Sequence, residues 1–151
     1  MTESLSEFLS SPSSYPEPTH QVSKIETHIS EVYLTDEFVY KRKKPVQFDF
    51  LDFSTVDLRH QACLDELNLN RRIAKDVYLE VLPINQSSET GWHIGGEGEV
   101  VDWLVKMRRL AEADTLHSVI EQGRPSESQI TALARRLAAF YQYQSPLTPA
   151  A

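Results

Sequence analysis

Two residues of opposite charge stand where charge is costly. Lys41 lies in Phe38-Val39-Tyr40-Lys41, whose aromatic and β-branched residues read as a strand, and Glu66 lies in a segment of helical period. Taken as a helix from about Thr55 to Ala74, that segment sets Leu58, Ala62, Glu66, Leu69 and Ile73 on one face, so the Glu66 carboxylate points where a core is expected. An ionised carboxylate buried alone costs several kcal/mol or takes up a proton. A cation reaching in from a neighbouring strand is the economical partner, and Lys41 is the candidate. The competing reading has Glu66 at the edge of the stripe, reaching solvent. A lysine fixed by a carboxylate presents a held positive charge, the kind of group that binds the phosphates of a nucleotide.

The elements that must carry this pair follow from patterning. Residues 24–29, 31–35 and 38–43 read as three strands of an antiparallel meander, with Asp36-Glu37 as a tight connection. Phe48 to Phe53 reads as an apolar loop that anchors the entry to the helix, and Ser54 with Asp57 resembles a capping box at its start. Residues 77–84 predict a fourth strand, ending near Pro83, and residues 100–107 a fifth. Between them, Asn85 to Glu99 reads as a flexible hairpin loop. Its Gly91, Gly95, Gly96 and Gly98 neither follow a strand that opens onto a helix nor end in Gly-Lys-Ser/Thr, so they do not form a phosphate loop. Two helices close the chain, one from Asp114 to Gln122 before Gly123 and Pro125, the other opened by a Ser126/Gln129 capping box and striped by Ile130, Leu133, Ala134, Leu137 and Phe140. The expected fold is α+β, a five-stranded antiparallel sheet with one packed helix followed by two C-terminal helices. Residues 1–20, with Pro12, Pro16 and Pro18 among serines, read as a flexible leader in which Phe8-Leu9 docks weakly, residues 21–144 as one ordered domain made of the sheet, its helix and the two closing helices, and residues 145–151 as a frayed tail.

Composition narrows the functions. With 151 residues the chain can bury one core of ordinary size. No apolar run approaches the roughly 20 residues that span a bilayer, so no membrane partner is expected. The N-terminus lacks the basic stretch and apolar run of a secretory signal, which makes a cytoplasmic location the expectation. A net charge of −7 argues against nucleic acid as a partner. The basic run Lys41-Arg42-Lys43-Lys44 sits between apolar segments and reads as part of a folded edge. Cys63 is the single cysteine and reads as a small buried hydrophobe. His20, His28, His60, His93 and His117 form no i, i+4 pair and no His-Glu-x-x-His, so no metal site is expected. There is no Gly-x-Ser-x-Gly, and Trp92 and Trp103 read as hairpin and core aromatics.

Several strings carry a likeness. Glu26-Thr27-His28-Ile29-Ser30, Val39-Tyr40-Lys41-Arg42-Lys43-Lys44-Pro45-Val46, Phe50-Leu51-Asp52-Phe53-Ser54-Thr55, Glu66-Leu67-Asn68-Leu69-Asn70-Arg71-Arg72, Val105-Lys106-Met107-Arg108 and Leu133-Ala134-Arg135-Arg136-Leu137-Ala138-Ala139-Phe140 span roughly residues 22 to 140. Their order resembles the amino-terminal lobe of bacterial aminoglycoside phosphotransferase-like proteins of the protein-kinase-like superfamily, a type often fused to a P-loop ATPase domain. The resemblance implies that Lys41 contacts nucleotide phosphates and Glu66 orients it. It also implies that Met107 to Arg109 form a hinge whose main-chain groups meet an adenine, and that Thr27 to Ser30 turn over the phosphates. On this footing the cofactor-binding residues are Lys41, Glu66, Met107 and Arg109.

The sequence also departs from that family. Kinase-like transfer needs a catalytic-loop aspartate, a nearby asparagine and a second aspartate for magnesium, all from a carboxyl-terminal lobe. The chain contains no His-Gly-Asp, Asp114 has no asparagine at suitable spacing, and Phe140-Tyr141-Gln142 stands where a Phe-His is expected. No catalytic residue and no metal ligand is therefore assigned. The expectation is a truncated kinase-like protein that binds ATP weakly or vestigially, takes up magnesium only if a second lobe is supplied, and is inactive as an isolated chain. The alternative is a protein-interaction module, or half of a split kinase, that pairs with a separate C-lobe polypeptide or with itself.

Overall fold

The computed structural model describes residues 4–88, 91–123 and 125–144, and the expected frayed tail lies outside them. The chain divides into two compact units, Met1–Arg109 and Leu110–Ala151. In the first, Ser23–Glu26 (β1), Ser30–Leu34 (β2), Phe38–Lys43 (β3), Tyr78–Ser87 (β6), Gly91–Ile94 (β7) and Glu99–Arg108 (β8) form one sheet in the order β1-β2-β3-β8-β6-β7. Every neighbouring pair is antiparallel. Gln47–Phe48 (β4) and Leu51–Asp52 (β5) form a small separate hairpin. The α+β class stands, with six strands in the main sheet instead of five. The extra strand is β7, which arises inside the glycine-rich stretch expected as a loop. Its residues pair with the end of β6, and Trp92 and Ile94 pack onto the core. Gly98 has a backbone reserved for glycine (φ +131°), and a Cβ there would lie 3.0 Å from the Gln86 carbonyl oxygen.

Helix Val56–Ala74 (α2) packs on the face of the sheet that carries Lys41. Thr55 caps it, its Oγ1 accepting from the Leu58 N–H at 3.2 Å, one residue later than the expected Ser54. The buried positions are Arg59, Cys63 and Leu67, with Glu66 beside them; Leu58, Leu69 and Ile73 are exposed. The core-facing stripe is thus offset from the one the apolar pattern suggests. The reason is Arg59, a charged residue that is buried because its Nε donates to Asp102 at 2.7 Å and its Nη1 to the Phe53 carbonyl at 2.9 Å. At the other end, Arg71 donates to the carbonyls of Tyr78 and Leu79, tying α2 to β6.

The opposite face of the sheet is covered by the segment expected as a flexible leader. Leu5–Ser10 (α1) opens with a Ser4/Glu7 capping box, and Phe8, Leu9 and Tyr15 are buried against Tyr33, Tyr40, Ile84 and Leu104. Tyr15 lies against Tyr40 at 4.7 Å between ring centroids, and its hydroxyl donates to the Leu9 carbonyl at 2.5 Å. Glu17 accepts from both Tyr40 and Lys106, which are cross-strand partners on β3 and β8. An apolar sheet face has to be covered, and this strap supplies three apolar anchors despite its serine and proline content.

The second unit holds Leu116–Gln122 (α3), capped by Thr115, and Glu127–Gln142 (α4), opened by the expected Ser126/Gln129 capping box. On α4, Ile130, Leu133 and Leu137 are exposed.

Candidate functional site

The register of three strands assembles the site. Val32 pairs with Lys41 and Ser30 with Lys43 across β2 and β3, while Lys41 pairs with Val105 and Val39 with Met107 across β3 and β8. Alternate β3 side chains therefore rise toward α2, and Lys41 and Lys43 both reach Glu66. Lys41 Nζ lies 2.9 Å from Glu66 Oε1, and Lys43 Nζ lies 2.7 Å from Oε2. The expected pair is present, and a second lysine completes it. Lys43 is the more deeply placed, with 7% of its side chain exposed against 29% for Lys41, and its ammonium sits 5.2 Å from the Phe53 ring centroid. Burial raises the Glu66 pKa, but hydrogen bonds from Lys43 and Lys41 outweigh it and hold the carboxyl below its ordinary value. The carboxylate stays ionised at neutral pH.

Above the pair opens a cleft of about 670 Å³ lined by Thr27, His28, Ile29, Ser30, Val32, Lys41, Phe50, Glu66, Tyr78 and Met107. The β1–β2 turn is fixed by its own side chain: the Ser30 N–H donates to Thr27 Oγ1 at 3.0 Å, and the Thr27 N–H to the Ser30 carbonyl at 2.9 Å. Ser30 Oγ is buried and has no hydrogen-bond partner among the described residues. Phe50, at the tip of the β4–β5 hairpin, is exposed at the cleft and stacks on Phe48.

The expected hinge is only partly at this cleft. Met107 lines it, but Arg109 is not among the lining residues. The Arg109 N–H donates to the Glu37 carbonyl at 2.9 Å, its guanidinium to the Thr35 carbonyl at 2.5 Å, and the Arg108 N–H to the Val77 carbonyl at 2.8 Å. These main-chain donors close the C-terminal end of β8 against neighbouring turns and are not free for an adenine edge.

A second charged network lies nearby in the fold. Asp102 accepts from Arg59 Nε and Arg42 Nε, both at 2.7 Å; Arg42 also reaches Glu31 at 2.8 Å, and Glu31 accepts from Lys24 at 2.6 Å. Asp102 is 1% exposed. For Glu31 burial pushes the pKa up, but Lys24 and Arg42 outweigh it and hold it below its ordinary value. Nothing in the sequence pattern singles out these residues, because each pairs across strands or with a helix far along the chain. Among the described residues no three His, Cys, Asp or Glu side chains come together as a metal-binding group, and no helix is long and apolar enough to cross a membrane.

No family model matches the chain, and no solved structure matches it significantly. It is 38% identical over 117 residues to the uncharacterized protein Rv2004c of Mycobacterium tuberculosis and to the uncharacterized protein Mb2027c of Mycobacterium bovis. The aligned part is 78% of this chain and 22% of each relative, so the chain spans about a fifth of the length of these curated relatives.

Proposed function

We propose that this chain is a nucleotide-binding lobe of the kinase-like, aminoglycoside phosphotransferase type. The observation that carries the reading is the Lys41–Glu66 contact at 2.9 Å, set at the base of a cleft walled by the Thr27–Ser30 turn and Met107. Lys41 holds phosphate oxygens, Glu66 fixes Lys41, and Val32, Tyr78 and Met107 supply an apolar seat for a base. With the nearby N–H groups of Arg108 and Arg109 engaged elsewhere, the base is held by packing more than by edge hydrogen bonds. Phosphoryl transfer rests on positioning and electrostatic stabilisation, and the base and magnesium carboxylates would have to come from a further lobe, on the same polypeptide or another. The chain by itself therefore binds MgATP weakly and transfers no phosphoryl group. Calorimetry with MgATP and an ATP-turnover assay test this separately. Turnover above background that vanishes in Lys41→Ala overturns the inactivity. Micromolar affinity, worth about 8 kcal/mol, overturns the weak binding.

A second reading, an interaction module, is favoured by α4, where Ile130, Leu133 and Leu137 form an exposed apolar stripe. Concentration-dependent sedimentation that Leu137→Glu abolishes, together with no ATP signal, would favour it over the first.

A further inference from the structure

An ordinary lysine–glutamate pair is electrically neutral, and the positive charge that meets the phosphates is then brought largely by metal ions. This cleft is built differently. Two ammonium groups share one carboxylate, leaving one net positive charge at the floor. Among the lining residues Glu66 is the only carboxylate and Lys41 the only ammonium, while Lys43 lies behind them, shielded from water by Phe53. A charge held away from water acts through a lower dielectric than a surface lysine does. Lys43 occupies Glu66 Oε2, so Lys41 needs to spend only one of its three N–H donors on Oε1. Opposite Lys43 in the β2–β3 register, Ser30 is 2% exposed with its hydroxyl unpartnered among the described residues, a donor with nothing yet to donate to.

We propose that this floor binds the polyphosphate end of a nucleotide without a divalent cation, with Lys43 as the positioning residue that supplies the uncompensated charge. The inference rests on the nucleotide-lobe reading. It differs in naming the bound species, a metal-free polyphosphate, and the residue that makes metal dispensable.

The test follows amide chemical shifts of the full 151-residue chain during titration with inorganic tripolyphosphate in EDTA at low ionic strength, and separately with MgATP. Saturable shifts at Ser30 and Lys41 are expected without metal. Lys43→Met should weaken them by about tenfold or more, because it returns the floor to neutrality. Lys44→Met removes the same formal charge from a lysine paired with Glu26 and should change the affinity by less than about twofold. Shifts with MgATP but none with metal-free tripolyphosphate overturn the inference and leave the nucleotide-lobe reading standing. Silence in the cleft with both ligands overturns the two together. Equal affinity in Lys43→Met and wild type overturns the role of Lys43. The metal comparison on the wild-type chain decides the matter even if Lys43→Met does not fold.

Discussion

Removing the Glu66 carboxylate should destabilise the first unit chiefly through Lys43. In Glu66→Ala both lysines lose their shared partner, but their situations differ: Lys41, 29% exposed, can turn its ammonium into the cleft, whereas Lys43, 7% exposed beneath Phe53, cannot. Breaking a buried ion pair by removing one member costs about 3–5 kcal/mol, most of it the unpaired charge left behind. Against a total stability of about 5–15 kcal/mol, the variant remains folded under mild conditions with a much lower denaturation midpoint. Adding Lys43→Met should recover most of the loss, and adding Lys41→Met should recover little. Urea unfolding followed by tryptophan fluorescence reads this directly, since Trp92 and Trp103 both belong to the first unit and Trp103 stacks on His60 of α2 at 3.6 Å. The denaturant slope should stay constant across the series, so midpoints convert to stability differences. A loss below about 1 kcal/mol in Glu66→Ala, or equal rescue by the two methionine variants, would refute the assignment of the cost to Lys43.

Other expectations follow from the same geometry. Glu66, Glu31 and Glu17 all have pKa values held below the ordinary carboxylate value, burial being outweighed in each by cationic or hydroxyl donors. Their contribution is complete above about pH 4.5 and is lost as pH falls through the lowered values, so the urea midpoint should be flat near neutrality and fall steeply in acid; a flat profile to pH 2 would count against these contacts. Burial pushes the Cys63 thiol up to about 11, so its contribution is complete below the ordinary thiol value and is lost as pH rises toward 11. At pH 8 iodoacetamide should label it only at the rate of unfolding, and prompt labelling of native protein would contradict its burial. Leu9→Ala should cost about 2–5 kcal/mol in the same fluorescence assay, since Leu9 is 0% exposed; a neutral effect would show the strap to be dispensable.

Local signals are the ones the sequence displays. The Ser126/Gln129 box and the end of α2 at Ala74 depend on neighbours within a turn, and both appear as read. Glu66 is legible as a carboxylate among apolar residues, yet the face assigned to it is displaced, and Glu66 is recovered because it lies at the border of both stripes. The true face includes Arg59, and no periodicity rule reveals that Asp102, 43 positions away, neutralises it. Lys43 is hidden for a related reason: a run of four basic residues reads as one folded edge, and only strand alternation against α2 separates Lys41 and Lys43 from Arg42. The strap misleads by composition, since serines and prolines signal disorder while Phe8, Leu9 and Tyr15 find their partners on strands the local pattern cannot connect to them. Four glycines likewise mask β7.

The strap and the cleft meet on the same two strands. Tyr40 and Lys106, which grip Glu17 from one face, are chain neighbours of Lys41 and Met107, which line the cleft on the other. A shortened chain beginning at Gln21 would leave Tyr33, Tyr40, Ile84 and Leu104 bare to water, and its expected fate on overexpression is inclusion bodies. Where a domain of this kind is cut from a longer polypeptide, the boundary that preserves solubility lies before Ser4, upstream of every strand.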